Sequence, residues 1–485
     1  MALTPLRVPF EDLQRSFADR HPVGDPLDLD GGTVVVLPSL SFPPEELRKI
    51  VGIGYYEERL LFLLLLLRRP NVRVVYLTSM PVDEAIVDYY LSFVPDPPGA
   101  RERLHLLSAR DPEPRCLTAK LLDRPDLIDR IKELAGGPTE AFVLPFNVTW
   151  QELDLVERLG LPLYGPHPEQ ATLGSKTGSR RIARRAGVPV LDGSEDLRSL
   201  EAVEAAARRL LRRPSSPPSA VVIKLNDGFS GQGNAVVPLH GLGSSLVDSP
   251  TVFCAQEESW PSFVAKISQG GAVLEELLQA PGMVSPSVQL RVLPGGEPLV
   301  LSTHDQVLGG PNRQVYLGCR FPADAAYRTE VRAAADRVAR VLAGHRVIGY
   351  FGVDFFVVPH GDRQRVFLAE INLRVGGTTH PFGMAALATE GRYEAGSGNL
   401  VAGGRAKSYI ASDNLKSARL RGRRPGEVID KVRRRGLAYD PASRTGAALH
   451  LLGAIPEHGK MGVTCIGDSP EEAEARYHEV VAALT

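Results

Sequence analysis

The stretch from Gly349 to Gly377 constrains this chain more than any other. It reads GYFGVDFFVV, a short polar turn at His360-Gly361-Asp362, then VFLAEINLRVGG. Val, Phe and Ile at this density on either side of a turn predict two adjacent antiparallel strands. Polar residues interrupt the apolar runs. Glu370, Asn372 and Arg374, spaced by two, share one face of one strand, and Asp354 on the neighbouring strand can join them. Phe355, Phe356, Phe367, Leu368 and Ile371 argue that the opposite face is buried. A solvent-facing edge strand with ordinary charges is the plain alternative. A buried face carrying a carboxylate, an amide and a guanidinium is costly unless something charged binds there. Two carboxylates and an amide oxygen are hard ligands, suited to Mg²⁺ and not to zinc. Mg²⁺ held by few protein oxygens completes its shell with nucleotide phosphates and water.

A second stretch points to phosphate. Val221-Val222-Ile223-Lys224 reads as a short strand ending in a lysine. Asn226-Asp-Gly-Phe-Ser-Gly-Gln-Gly-Asn234 follows, then Ala235-Val236-Val237. Gly228, Gly231 and Gly233 allow a tight, mobile hairpin with exposed N–H groups, able to close over a triphosphate. Lys224 would bring a point charge to the phosphates. An ordinary glycine hairpin explains the loop equally well when it is taken alone.

Together these stretches resemble the ATP-grasp superfamily, from about Leu163 to Gly383. The parts are Lys176 in Gly174-Ser-Lys-Thr-Gly-Ser179, Lys224, the glycine loop, the linker Val273-Leu-Glu-Glu-Leu-Leu278, and Asp354 with Glu370-Ile-Asn-Leu-Arg374. Gly174-Ser-Lys-Thr imitates the end of a Walker A motif but fails it, because a serine separates glycine from lysine. The N-terminal region is similar in detail to the pre-ATP-grasp domain of pheganomycin-type peptide ligases. Leu37-Pro-Ser-Leu-Ser41, Tyr56-Glu-Glu-Arg-Leu-Leu-Phe62 and Ile86-Val-Asp-Tyr-Tyr90 carry that likeness, as does Val463-Thr-Cys-Ile-Gly-Asp-Ser-Pro470 near the C-terminus. That family makes peptide bonds on small peptides in actinobacterial specialised metabolism.

Composition sets outer bounds. A chain of 485 residues holds about two to four domains. A net charge of −1 gives no nucleic-acid or membrane signature. Cys116, Cys254, Cys319 and Cys465 have no paired spacing, which fits reduced thiols in a cytoplasm rather than a disulfide framework or a cysteine zinc site. The N-terminus lacks an apolar signal core. The apolar run Leu60 to Leu67 is far shorter than the roughly 20 residues of a spanning helix, so it reads as a buried core helix.

The expected fold is α/β, turning α+β in the catalytic part. It comprises a Rossmann-like pre-ATP-grasp domain over 1–165, an ATP-grasp domain over 166–390 with a lid at about 188–278, and a C-terminal domain over 391–485 that completes the catalytic region. Strands are expected at Thr33–Leu37, Val72–Leu77, Leu104–Leu107 and Phe142–Leu144, with a long helix from about Pro44 to Arg69. Alternating strands and helices imply a parallel sheet. Asn147-Val-Thr149 falls where open sheets place ligand crevices, although a loop with an N-cap at Thr149 is the preferred reading. Further helices are expected over about Ser175–Ala186, Glu195–Arg213 and Ser469–Leu484, and strands at Ala448–Leu452 and Lys460–Ile466. The arginine-rich Lys416–Arg424 and Lys431–Arg435 read as a solvated face, or as a docking site for an acidic peptide.

Roles follow from the resemblance. Lys176, in the first turn of its helix, contacts ATP phosphates, or else is one solvated charge among several arginines. Lys224 and the loop Gly228, Phe229, Ser230, Gly231, Gly233 and Asn234 hold the remaining phosphates. Glu275 and Leu277 meet adenine, with Glu276 the competing choice for the acid. Pro281-Gly-Met-Val-Ser-Pro286 departs from the family pattern and leaves the ribose without an evident partner. Asp354, Glu370 and Asn372 hold Mg²⁺. Arg291 and Arg374 are candidates for gripping the transferring phosphoryl and a substrate carboxylate. His304 and Asp305 line an acceptor pocket, or His304 is a satisfied core histidine. Gly376, Gly377 and Thr378 open a loop running to Phe382 that offers N–H groups to a carboxylate, or is a plain turn. Gly309-Gly310-Pro311-Asn312 is a turn that could serve as a substrate loop.

The implied reaction joins a small carboxylic acid or N-acylated amino acid to an amine or peptide acceptor, through an acyl phosphate, with ATP and Mg²⁺. The alternatives are an ATP-grasp kinase and a non-catalytic ATP-binding regulatory protein. No nucleic acid or membrane partner is expected. Oligomeric state stays open, with a homodimer through the N-terminal domain suggested by the resemblance alone.

Overall fold

The computed structural model describes residues 8–21, 25–28, 30–48, 50–214, 217–228, 233–240, 245–255, 257–309, 315–361 and 363–485. Strands β1 (Gly32–Leu37), β2 (Val72–Thr78), β3 (Leu104–Ser108) and β4 (Ala141–Pro145) form a parallel sheet in the order β3-β2-β1-β4. Their valine-rich sequences suit burial on both faces. Val34 and Val36 point into one core while Val35 and Leu37 point into another, as the two-residue period of a strand requires.

The expected long helix over 44–69 is instead two elements. A short α-helix covers Pro44–Leu47, and a 3₁₀ helix covers Ile53–Arg68, with Gly52 in the left-handed region at φ 75° between them. Leu60, Leu61 and Leu63–Leu67 are all buried, so the run is core as expected. Runs of 3₁₀ this long are uncommon. Tertiary packing surrounds this one on all sides. The helix Thr379–Thr389 lies directly against it, and a Cβ at Gly383 would sit 2.3 Å from the Phe62 ring.

The second sheet is the small one. Strands β5 (Gly193–Leu197), β6 (Ala220–Leu225), β7 (Asn234–Pro238), β8 (Val252–Phe253) and β9 (Ala272–Glu276) run β5-β9-β6-β7-β8, all antiparallel. The helix expected over Glu195–Arg213 begins later, at Leu200, and ends at Leu211. Ser199 caps it through a hydrogen bond from the Ala202 N–H, which makes it a better start than Glu195. Glu195 itself sits in β5 and faces arginines.

The third sheet carries β10 (Pro286–Val292), β11 (Pro298–Gly309), β12 (Val315–Phe321), β13 (Gly349–His360), β14 (Arg363–Asn372), β15 (Arg392–Glu394), β16 (Asn399–Ala402), β17 (Arg405–Lys416), β18 (Gly446–His450) and β19 (Lys460–Gly467). Its order is β14-β13-β10-β11-β12-β17-β16-β15, with β19 pairing both β17 and β18. The predicted hairpin is present as β13 and β14, antiparallel, with His360 paired to Arg363 at its end; Asp362 of the expected turn lies outside the described residues. The strands read near the C-terminus are β18 and β19, in the same hydrogen-bonded sheet as β13 and β14. The closing helix is Pro470–Leu484, capped by Ser469. The loop expected over Gly376–Phe382 stops at Thr378, because Thr379 starts a helix. A helix at Pro425–Arg434 runs into the second basic segment, burying Val428, Ile429 and Val432 and leaving Arg433 and Arg434 exposed. No helix among the described residues is long and apolar enough to cross a membrane.

Candidate active site

The hairpin β13–β14 sets the centre of the site. Asp354 pairs with Glu370 and Gly352 with Asn372 across the ladder, and a bulge follows Asp354. Bulges re-aim side chains, and the polar groups of three positions meet here. The Asn372 amide donates to Asp354 Oδ2 at 3.2 Å and to Glu370 Oε1 at 2.9 Å. Gln306 on β11 donates to Asp354 Oδ1 at 2.9 Å. Burial first, and then the Glu370 charge, push the Asp354 carboxyl up. Burial also opposes the Glu370 charge, but the Lys176 ammonium outweighs it and holds that carboxyl well below its usual range. Two half-buried carboxylates that repel one another and offer only oxygen atoms fit a hard divalent cation. The Asn372 amide turns its nitrogen to the carboxylates, and a half-turn of its last torsion would present Oδ1 instead.

Lys176 enters from the side. Ser175 caps the helix Lys176–Arg185 by accepting from the Gly178 N–H at 3.0 Å. This places Lys176 in the first turn, ion-paired to Glu370. Asn226 anchors that turn. Its Oδ1 accepts from the Thr177 N–H at 3.0 Å, its backbone carbonyl from the Lys176 N–H at 3.3 Å, and its Nδ2 donates to the Gly270 carbonyl at 2.9 Å. The start of the glycine loop, the helix start and the small sheet are tied at one residue.

Lys224 lies at the end of β6, opposite Asn234 on β7. Its ammonium is 2.6 Å from Glu275 Oε2, and Arg180 donates to Glu275 Oε1 at 2.6 Å. Arg180 also reaches Glu195 at 3.1 Å. The side chains of Arg180 and Glu275 are only 2% and 3% exposed. Burial raises the Glu275 carboxyl, but Lys224 and Arg180 more than offset this and lower it. Glu276 points elsewhere, 2.8 Å from Arg213. Leu277 packs on Ala220, Val222 and Val236, and its N–H donates to the Ala220 carbonyl at 3.0 Å. The glycine loop is described at Gly228 and Gly233, whose backbones touch. A Cβ at Gly233 would lie 2.7 Å from the Gly228 Cα. Phe229, Ser230 and Gly231 lie outside the described residues, as do 310–312 of the expected 309–312 turn.

A cleft of about 650 Å³ opens beside these parts. Its walls include Lys176, Asn226, Gly228, Asn372 and Arg374, with Ser41, Asn147 and Thr149 from the parallel sheet. Arg374 lies beyond the end of β14. It donates to Asn372 Oδ1 at 3.0 Å and stands 5.8 Å from the Phe42 ring centre.

Other sequence candidates are engaged elsewhere. Arg291, its side chain 12% exposed, is ion-paired to Asp25 and donates to the Tyr350 hydroxyl at 2.9 Å. His304 is fully buried against Phe321 and hydrogen-bonded to Tyr409, with burial pushing its imidazole down to about 3. This is a core histidine bonded through Nε2 alone, since its buried Nδ1 has no hydrogen-bond partner among the described residues. Asp305 accepts from the Tyr327 hydroxyl at 2.7 Å and the Asp324 N–H at 3.0 Å. The Gly376 N–H donates to Thr379 Oγ1 at 2.9 Å, the Gly377 carbonyl accepts from Tyr316 at 3.2 Å, and Thr378 is buried.

The carboxyl ends of the parallel strands hold a closed polar network. Glu152 accepts from Ser41, Thr118 and Thr149, while Ser41 exchanges two hydrogen bonds with Asn147 at 2.9 and 3.1 Å. Thr149 caps its helix through a capping box, as the preferred reading had it. At the strand ends, where open sheets bind ligands, this network fixes Ser41, Asn147 and Thr149 as one wall of the cleft. Gln306, Asn226 and Arg180 escaped sequence reasoning. Each is a single polar residue outside any motif, although the placement of Asn226 at the mouth of the glycine loop was a usable signal.

Two family models match: the PGM1 C-terminal domain over residues 427–480, and the IQCH-like ATP-grasp over residues 246–395. The L-propargylglycine–L-glutamate ligase of Streptantibioticus cattleyicolor is 32% identical over 478 residues, 96% of each chain. The IQ motif-containing protein H of Danio rerio is 22% identical over 401 residues, 70% of this chain and 37% of that protein. Among solved structures, a biotin carboxylase from Campylobacter jejuni in an ATP-type complex has a TM-score of 0.56 at 14% identity, covering 93% of this chain and 90% of that one. The biotin carboxylase domain of the Hydrogenobacter thermophilus 2-oxoglutarate carboxylase, solved with MgADP and bicarbonate, has a TM-score of 0.56 at 15% identity, covering 93% and 89%. The fold is therefore that of the ATP-grasp enzymes. Within them the chain belongs to the pheganomycin-type peptide ligases, which are carboxylate–amine ligases. It uses ATP to make a carbon–nitrogen bond.

Proposed function

We propose that the cleft phosphorylates a carboxylic acid with Mg²⁺-bound ATP and delivers the activated acyl group to an amine. The meeting of Asp354, Glu370 and Asn372 beside Lys176 carries this reading. A carboxylate is a poor acyl donor because its leaving group would be oxide. Attack of its oxygen on the terminal phosphorus releases ADP and leaves an acyl phosphate. The amine then attacks the acyl carbon, phosphate departs with the C–O electron pair, and the amine loses a proton. When bound, Mg²⁺ would neutralise phosphate charge, with Asp354, Glu370 and Asn372 as its holders. Lys176 and Lys224 bind phosphate oxygens, with Gly228, Gly233 and Asn234 closing over them and the loop residues Phe229, Ser230 and Gly231 assigned with them. Glu275 fixes Lys224, Leu277 offers its apolar side chain to adenine, and Glu276 stays outside. Arg374 orients the acid, and Gly376, Gly377 and Thr378 shape the floor beside it. Positioning and preorganised charge supply most of the rate, and closure excludes water that would hydrolyse the acyl phosphate.

The substrates we infer are two amino acids, or an N-acylated amino acid and a peptide, in natural-product biosynthesis in the cytoplasm. The relative that joins L-propargylglycine to L-glutamate supports this choice. We also carry the division at 165 and 390, the lid over 188–278, and a dimer through the N-terminal domain as parts of the proposal. The test is ADP release with acid alone, amine alone and both, followed by mass spectrometry for a product equal to both partners less one water. Steady turnover only with both supports the ligase. Turnover with one acceptor alone indicates a kinase, and the absence of turnover under every condition a regulator.

A further inference from the structure

A second polar centre lies apart from the hairpin residues, where the helix Thr379–Thr389, β17 and the end of β18 meet. His380, Asp413 and His450 are all buried there. Nε2 of His380 is 3.0 Å from Asp413 Oδ1, Nε2 of His450 is 2.8 Å from the same oxygen, and the two nitrogens are 3.2 Å apart. Hydrogen bonds alone account poorly for this triangle. Two N–H groups on one oxygen would subtend an acute angle, far tighter than carboxylate lone pairs favour, and would press two like-charged protons together.

We propose that His380, Asp413 and His450 form a binding site for one borderline divalent cation, zinc foremost. Ligand atoms about a tetrahedral zinc with bonds of ~2.0–2.2 Å stand about 3.3 Å apart, close to the separations here. Two imidazoles and one carboxylate are the donor set such ions prefer, whereas the all-oxygen set at Asp354 and Glu370 suits Mg²⁺. The two centres therefore select different metals.

The surroundings are those of a built site. Arg59 pairs with Asp413 Oδ2, which leaves Oδ1 aimed at the imidazoles, and outer partners of this kind orient metal-bound carboxylates. Arg59 is itself held 4.1 Å over the Tyr56 ring, and Lys460 donates to the Tyr56 hydroxyl at 2.7 Å. Gly462 pairs with His450 across β18 and β19. A Cβ at 462 would lie 2.0 Å from His450 Nε2, so glycine keeps the ligand position open. A cation here would clamp three chain segments that are distant in sequence.

The full-length protein, stripped with a chelator, is titrated with Co²⁺ in excess Mg²⁺, which occupies the hard-oxygen centre. Visible absorption and thermal midpoint are read together. Stoichiometric uptake with intense visible bands and a raised midpoint is expected. The bands are expected to vanish in His450→Gln and in Gly462→Ala, and to persist in Glu370→Gln. Absence of intense bands in the wild-type protein overturns the proposal, as does their survival in His450→Gln or their loss in Glu370→Gln. Native mass spectrometry of the wild-type protein after zinc addition gives a reading independent of any variant, and a chain that stays at its metal-free mass likewise overturns it.

Discussion

Glu275 holds Lys224 by an ion pair of 2.6 Å on one oxygen and takes a hydrogen bond of 2.6 Å from Arg180 on the other. An acid in the segment 273–278 thus fixes a lysine on the neighbouring strand. Its removal strands two buried cations. Breaking a buried pair by deleting one partner costs about 3–5 kcal/mol. Glu275→Ala should lose stability on that scale in denaturant unfolding, and Glu275→Gln should keep more of it while raising the KM for ATP. Wild-type stability in Glu275→Ala would show that the pair contributes nothing.

Asp354 and Glu370 should separate activity from stability. Loss of one preorganised charged group typically costs ~10²–10³ in rate, and that loss is expected in kcat for Glu370→Ala. Asp354→Asn removes the carboxylate that burial and Glu370 oppose. In Mg²⁺-free buffer this variant should melt no lower than the wild-type protein while turning over far more slowly. A large drop in its melting temperature would count against a repelling pair.

Two arginines that look alike in sequence should behave differently. Arg374 borders the cleft, whereas Arg291 is committed to Asp25 and Tyr350. Arg374→Ala should lower kcat/KM by ~10²-fold or more with a near-normal melting temperature. Arg291→Ala should chiefly destabilise, because it leaves Asp25 without its cation. The opposite pattern in paired kinetic and thermal measurements would exchange their roles.

Stability should fall as pH rises through the neutral range. Burial, aided by nearby Asp83 and Glu57, raises the Glu58 carboxyl from 4.5 to about 8 against the opposing Gly453 N–H. Between those values the folded chain keeps a proton that the unfolded chain has released. The resulting stability is complete below the lower value and gone above the upper one. At about 1.4 kcal/mol per pKa unit the effect reaches a few kcal/mol. Glu58→Gln cannot titrate and should flatten the fall in melting temperature between about pH 5 and 8. Glu57, raised to about 7 by burial, should leave a smaller slope.

The hairpin, the two lysines and the parallel strands were legible because each carries a local pattern of alternation, glycine spacing or apolar runs. The register that brings Asp354 opposite Glu370 rests on a bulge, and no residue pattern marked that bulge. The fates of Arg291 and His304 were hidden because Asp25 and Tyr409 approach from distant parts of the chain. The leucine run was legible as core but not as 3₁₀, since burial on all sides erases the periodicity that distinguishes helix types. Glu195 looked like a helix start by composition, but pairing with β9 placed it in a strand.

On the proposed reading, the bond between Lys176 and Glu370 would make the ammonium a placeholder for the metal. Its positive charge lies against a carboxylate that would otherwise hold a divalent ion. A nucleotide without its metal would meet a lysine already committed, whereas one with it would bring the replacement that frees the lysine for phosphate. Loading would then be an exchange of partners, favouring the arrival of metal and nucleotide as one unit.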